Sequence, residues 1–100
     1  FGQRIVNSHP ALLPAFPGAH GVADALGYGV KVTGCTVHLV DSGVDSGPIL
    51  AQRIVEVTAA DTVETLHERI KIVERDLLPD VVEALVTRGV VTDGRKAHLQ

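Results

Sequence analysis

The longest regular pattern in this chain of 100 residues is a run of apolar side chains at helical spacing in its second half. The steps of three and four residues are those of an amphipathic helix, and they join Val63, Leu66, Ile70, Val73 and Leu77. The opposite face is charged, with Glu68, Lys71 and Arg75. Just before the run, Asp61 is placed to cap the helix, and Glu64 three residues later can reach back to the cap. We therefore predict a long helix that buries one face.

Three further features predict where the long helix ends, where a short helix lies and where the last turn occurs. Pro79 either kinks the long helix or begins a second one, which Gly89 then ends. An alanine-rich stretch at about 20–27 predicts a short helix with Gly27 as its stop. The pair Asp93-Gly94 is typical of a tight turn, so we expect a short hairpin at the end of the chain.

Two β-rich segments precede the long helix and predict a hairpin. Residues 31–40 alternate loosely and are rich in valine and threonine, and residues 49–57 form a second segment of this kind. Between them, residues 41–48 have turn-forming side chains at nearly every position and include two aspartates. We expect two strands joined by an acidic loop, which together with the helices indicates an α/β fold.

The start of the chain predicts the end of a strand followed by a stiff loop. Ile5-Val6 is a short apolar segment, and Pro10 must leave the sheet because proline cannot continue a ladder of hydrogen bonds. Asn7 and His9 would then lie at the strand end, where ligands of open α/β sheets gather. The loop that follows contains three prolines, and Leu13-Pro14 within it is a candidate cis peptide.

Composition argues against several classes of function. A net charge of -3 and a pI near 5.9 leave no dense basic patch for nucleic acid, so small molecules or proteins are the expected partners. No stretch approaches the roughly 20 apolar residues that span a bilayer. Cys35 is the one cysteine and is interpreted as a core residue, which suits a reducing cytoplasm. The five histidines are not paired with Cys or Glu at zinc-like intervals, so no metal site is predicted.

Asn7 and His9 are the first candidates for chemistry. They are two residues apart, so in a continuing strand their side chains point to the same side. An amide and an imidazolium can each donate a hydrogen bond to an oxygen that becomes negative as a nucleophile attacks. The alternative is a strand-end asparagine and a histidine that is bonded only to backbone.

The acidic loop supplies the second set of candidates. Asp41 and Asp45 project from a segment of small residues, and a carboxylate near His9 would favour the protonated imidazole or take a proton from an amine. His38, seven residues before Asp45, would orient that carboxylate. The alternative for the loop is a solvated acidic turn, or a weak calcium loop, for which the oxygen ligands are too few. The alternative for His38 is a core histidine with satisfied hydrogen bonds.

Four segments together carry a resemblance to a known family. They are Asn7–Pro14, with an Asn-x-His motif and a proline-bounded loop, Phe16–Gly18, Gly34–His38, and Asp45–Ile49, with Asp-x-Gly-Pro. In this combination the chain resembles the folate-dependent formyltransferase family from Ile5 to about Gly89. The loop residues are most similar to those of members whose acceptor is glycinamide ribonucleotide. Methionyl-tRNA formyltransferases and formyltetrahydrofolate hydrolases are the alternatives within the family.

The resemblance implies roles for the candidate residues. His9 would donate a proton and stabilise the tetrahedral oxyanion, Asn7 would hold the formyl oxygen, and Asp45 would favour the charged histidine or relay the amine proton, with His38 behind it. The donor would be 10-formyltetrahydrofolate, bound by Ile5, Asn7, Val40, Asp41, Ser42, Gly43, Val44 and Asp45. The acceptor would be bound by Pro10, Gly18, Lys71 and Glu74, with Glu74 accepting from ribose hydroxyls. No metal is implied.

The same resemblance implies how the domain is organised. Residues 1–100 would be the C-terminal part of a single formyltransferase domain of Rossmann-like fold, with a mixed sheet, a hairpin and a long amphipathic helix. We expect the N-terminal half to be a required partner that carries the phosphate loop, so that the 100 residues alone are inactive, and a homodimer is left open. Two hypotheses from other classes are a folate-binding regulatory module without turnover and a structural α/β fragment.

Overall fold

The computed structural model describes residues 5–40, 43 and 45–100. Within these residues five strands and two helices follow one another along the chain. In order they are β1 (Val6–His9), α1 (Gly21–Tyr28), β2 (Val32–Leu39), β3 (Ile49–Glu56), α2 (Val63–Arg88), β4 (Val90–Asp93) and β5 (Lys96–Leu99). The predicted α/β class, the central hairpin and the C-terminal hairpin are confirmed.

The larger sheet has the strand order β1-β2-β3 and places β1 beside the central hairpin. Antiparallel pairing of β1 with β2 sets Asn7 opposite His38 and His9 opposite Thr36. The register between β2 and β3 shifts at Val37/His38, next to the acidic loop. All strand pairs among the described residues are antiparallel, so a parallel part of the predicted mixed sheet does not lie within them.

The long helix is confirmed, but its start and its continuity differ from two expectations. Its N-cap is Thr62, whose side chain accepts from the backbone N–H of Thr65, while the Thr65 side chain accepts in return from the Thr62 N–H. Asp61 is therefore not the cap. Pro79 lies inside the helix on an exposed position, so the alternative of a second helix is wrong, and Gly89 ends the helix as expected.

The short helix α1 is also confirmed, with a different stop. Its C-cap is Gly29, at a φ of 91°, rather than Gly27. A left-handed backbone at this point lets the Gly29 N–H reach the carbonyl oxygens of Ala25 and Leu26, which would otherwise lack partners. The Leu13-Pro14 peptide bond is cis, as its sequence suggested.

The core lies between α2 and the larger sheet. Leu66, Ile70 and Leu77 are buried there as the helical spacing predicts, whereas Val63 is exposed in the first turn. Cys35 is fully buried in the same core, which confirms its interpretation. Gly34 is required where β2 and β3 approach closely, because a Cβ atom there would lie 1.9 Å from the carbonyl oxygen of Arg53. No helix in the described ranges is both long and apolar enough to cross a membrane.

Asp61 joins the loop before α2 to the helix instead of capping it. Its carboxylate accepts from both terminal nitrogens of Arg69, one of them at 2.8 Å, and from the backbone N–H of Thr58 at 2.8 Å. Arg69 also donates to the carbonyl oxygen of Glu56 at the end of β3. The hydrogen bonds from Arg69, and then that from Thr58, hold the pKa of Asp61 well below its usual value.

We expect Asp61→Asn to destabilise the protein at neutral pH and to have a smaller effect in acid. Because the pKa of Asp61 is lowered by folding, the charged form stabilises the folded state above the ordinary value of 3.8, and this contribution is lost as the pH falls below it. The difference in thermal unfolding between the two proteins should therefore be full at pH 7 and should shrink progressively as the pH falls below about 4. A difference that stays constant with pH would contradict this role.

Candidate active site

Strand β1 presents Asn7 and His9 at the edge of the sheet. The strand extends through His9, so the two side chains project to the same side, as predicted. Asn7 is exposed, whereas His9 is buried. A solvent-facing amide therefore stands beside an imidazole that the protein surrounds.

Asp45 lies in the middle of the candidate site. Its Oδ2 atom accepts from the backbone N–H of Gly18 at 2.8 Å and lies 3.4 Å from Nδ1 of His9. Its Oδ1 atom lies 3.6 Å from Nε2 of His38. The side chain is only 12% exposed, and the backbone is left-handed with a φ of 53°. An uncommon backbone conformation thus holds a nearly buried carboxylate between two imidazoles.

Both ring nitrogens of His9 face acceptors. Nε2 lies 2.7 Å from the carbonyl oxygen of Phe16, and Nδ1 faces the carboxylate of Asp45. A neutral imidazole has one N–H and satisfies one acceptor, whereas an imidazolium has two and satisfies both. The charged ring is therefore the form that could donate to both acceptors at once. The backbone-bonded histidine and the carboxylate-paired histidine were alternatives in the sequence, and both contacts are present.

His38 stands on the other side of Asp45. Its Nδ1 atom lies 3.1 Å from the carbonyl oxygen of Leu39, which only accepts, so this nitrogen carries a proton. Its Nε2 atom is buried and has no hydrogen-bond partner within the described part of the chain. A neutral ring with its proton on Nδ1 has none on Nε2, so this nitrogen can only accept a hydrogen bond.

The proline loop is held against the sheet by two residues that the sequence did not single out. The Thr36 hydroxyl donates to the carbonyl of Ala11 at 2.8 Å and accepts from the N–H of Leu13 at 3.0 Å. The Gln52 amide donates to the carbonyl of Leu13 at 2.9 Å and to Thr36 at 3.0 Å. The available signal was that Thr36 is a polar residue within the apolar segment from Cys35 to Val37. These bonds fix the loop that supplies the Phe16 carbonyl to His9.

The residues predicted to meet the acceptor are not all brought together. Glu74 lies against β1, where it accepts a hydrogen bond from the Ser8 hydroxyl. Lys71, one turn earlier on α2, lies instead 3.3 Å from Glu68 at the surface. Pro10 is partly buried, and Gly18 uses its N–H to hold Asp45.

Five of the eight residues predicted for the folate pocket lie within the described part of the chain. Ile5 and Val40 are exposed apolar neighbours, joined by a hydrogen bond from the Val40 N–H to the Ile5 carbonyl at 2.8 Å. Gly43 is exposed as well. The predictions for Asp41, Ser42 and Val44 lie outside the described residues.

A cavity of about 480 Å³ opens on one side of Asp45. It lies between the proline loop, the segment after Asp45 and the C-terminal hairpin, and is lined by Leu13, Pro14, Pro17, Asp45, Ser46, Gly47, Ile49 and Arg95. Asn7 and His9 do not line it, and Asp45 is the residue that the cavity shares with the candidate site. No group of His, Cys, Asp or Glu side chains suited to a metal ion occurs in residues 5–40, 43 and 45–100.

Comparison with known proteins gives one consistent family. Residues 1–82 match the family model described as formyl transferase. The chain is 67% identical over 99 residues to phosphoribosylglycinamide formyltransferase of Mycobacterium tuberculosis, which is 99% of this chain and 46% of that protein. It is 47% identical over 97 residues to the Bacillus subtilis protein of the same name, which is 97% of this chain and 49% of that protein.

A solved structure agrees with these sequence matches. Glycinamide ribonucleotide transformylase 1 from Symbiobacterium toebii superposes with a TM-score of 0.94 at 46% identity, over 99% of this chain and 47% of that one. The chain thus spans about half the length of the relatives it matches.

Proposed function

Because the chain belongs to the formyl transferase family, we propose that a protein containing it transfers a formyl group from 10-formyltetrahydrofolate to the primary amine of glycinamide ribonucleotide. This is a step of de novo purine biosynthesis. The observation that carries the proposal is the position of Asp45, whose two carboxylate oxygens face His9 at 3.4 Å and His38 at 3.6 Å. The names of the two bacterial relatives support the choice of acceptor.

The proposed reaction is a direct acyl transfer. The acceptor amine attacks the formyl carbon, a carbon–nitrogen bond forms, and the carbonyl oxygen becomes an oxyanion. Asn7 and the imidazolium of His9 stabilise that oxyanion by hydrogen bonds. The bond from the formyl carbon to the folate nitrogen then breaks, the amine loses a proton and the leaving nitrogen gains one. Neither a metal nor a covalent enzyme intermediate takes part.

His9 and Asp45 divide the proton transfer between them. Nδ1 of His9 faces Asp45, so Nε2, now directed at the Phe16 carbonyl, is the nitrogen left for the formyl oxygen. Asp45 stabilises the charged ring and is the carboxylate nearest to it that can take the proton of the attacking amine. His38 supports Asp45 from its other side.

The two substrates would approach this site from different elements. Ile5 and Val40 offer an exposed apolar surface for the flat pterin ring of the folate, next to the residues predicted for the folate loop. Glu74 would accept from the ribose hydroxyls of the acceptor, and Pro10 and Gly18 would border it. Lys71 would have to leave Glu68 to reach the acceptor. The phosphate loop would be supplied by a further segment of the protein.

Formyl transfer by the whole protein tests this proposal. We expect turnover of 10-formyltetrahydrofolate that depends on added glycinamide ribonucleotide and yields its formylated product, with no product from the 100 residues alone. Release of formate without an acceptor would favour a hydrolase, and formylation of methionyl-tRNA would favour that acceptor instead. Folate binding without any formyl chemistry would overturn the enzymatic proposal and leave a binding module.

A further inference from the structure

We propose that Ser8 is a positioning residue for the acceptor, because its hydroxyl holds the carboxylate of Glu74 and joins helix α2 to the strand that carries Asn7 and His9. This inference rests on the proposed function, in which Glu74 accepts from the ribose. Ser8 lies between the two predicted catalytic residues, Asn7 and His9, but its side chain points to the other face of the strand.

The contact leaves half of the Glu74 carboxylate available. The Ser8 hydroxyl donates to Oε2 of Glu74 across 66 positions of sequence. The other oxygen, Oε1, has no hydrogen bond within the described part of the chain. A carboxylate has about four acceptor positions, so a ligand hydroxyl can bind while the Ser8 bond is kept. Ser8 would therefore fix the direction in which Glu74 presents its free oxygen.

The surroundings of Glu74 are those of a carboxylate kept for a ligand. It is partly buried, and no Lys or Arg pairs with it within the described ranges, since Lys71 pairs with Glu68. Burial raises the pKa of the Cys35 thiol, and the negative charge of Glu74 raises it further, so the carboxylate lies close to the core. A partly buried charge without a cation is costly, which is typical of residues retained for binding.

The Ser8–Glu74 hydrogen bond also sets the separation between β1 and α2, which matters for catalysis. The reacting amine and the ribose belong to one molecule, and they would be bound by β1 and α2 respectively. The described contacts between these two elements are few, and the Ser8–Glu74 bond is the hydrogen bond between them. Loss of this bond would loosen the ribose end of the acceptor without touching His9, Asp45 or the folate pocket.

Steady-state kinetics of Ser8→Ala in the whole protein test the inference. We expect the KM for glycinamide ribonucleotide to rise about tenfold, since a hydrogen bond to a charged group is lost, while kcat and the KM for the folate change less than about twofold. Ser8→Thr keeps the hydroxyl and should restore the KM. Thr87→Ala removes a hydroxyl bonded to a backbone carbonyl on the exposed end of α2 and serves as the matched control.

A double-mutant cycle separates positioning from a general loss of packing. In a Glu74→Ala background, Ser8→Ala should raise the KM for the acceptor no further, because the residue through which it acts is gone. An unchanged KM in Ser8→Ala, or additive effects in the cycle, would overturn the role of Ser8 while transfer by the wild type upholds the proposed function. Absence of transfer in the wild type would overturn both.

Discussion

Replacement of His9 by alanine in the whole protein is expected to lower kcat for formyl transfer about 100-fold to 1000-fold. The imidazole lies between the Asp45 carboxylate and the Phe16 carbonyl, and in its charged form it can donate hydrogen bonds from both ring nitrogens, one of them to an oxyanion. Its removal would delete a hydrogen bond that strengthens only as the tetrahedral intermediate forms. The KM values for the two substrates should change much less than kcat.

The matched control for this variant is His98→Ala. His98 is an exposed histidine on β5 and is not one of the two histidines beside Asp45, so its loss should leave kcat within about twofold of the wild type. Thermal unfolding of both variants shows whether His9→Ala remains folded, since a buried ring is removed. A folded His9→Ala protein with near wild-type kcat would contradict the mechanism.

Most of the secondary structure was predictable because it depends on local patterns. The apolar spacing from Leu66 to Leu77 predicts the helix whatever it packs against, and the turn residues of the acidic loop predict the hairpin. The prediction that Asp61 caps the long helix is wrong because Asp61 and Thr62 are adjacent and both are good N-cap residues. Arg69, eight residues later, donates hydrogen bonds to the Asp61 carboxylate, and Thr62 is the cap instead. No local sequence pattern indicates this pairing.

The motifs name candidate residues for the site, but they do not fix its geometry. The seven-residue spacing of His38 and Asp45 leaves open whether they meet, and the antiparallel register that sets Asn7 opposite His38 brings the segments together. The Ser8–Glu74 bond spans 66 positions, so it has no counterpart in local sequence. Lys71 is a further case, because its ammonium group lies 3.3 Å from Glu68 on the same helix, a local partner that the family resemblance does not take into account. Its contact with the acceptor stays a prediction.

Two substitutions of Asp45 are expected to separate its charge from its structural role. Asparagine adopts left-handed backbone more readily than most residues, so Asp45→Asn should keep the φ of 53°. Its amide oxygen can accept from the Gly18 N–H, and its NH₂ group can donate to the buried Nε2 of His38. We therefore expect a fold about as stable as the wild type, but a kcat on the order of 100-fold lower, because the His9 imidazolium loses its counter-charge.

Asp45→Ala should lose both activity and stability. Alanine in a left-handed conformation costs about 1 kcal/mol or more, and the Gly18 N–H and His9 lose their acceptor. Measurement of kcat and of thermal unfolding for both variants distinguishes the two roles of the residue. If Asp45→Asn were fully active, the carboxylate would serve only to hold the loop, and the proton of the attacking amine would have to leave by another group. If it were as unstable as Asp45→Ala, the charge itself would hold the fold, and its effect on catalysis would follow from a displaced His9.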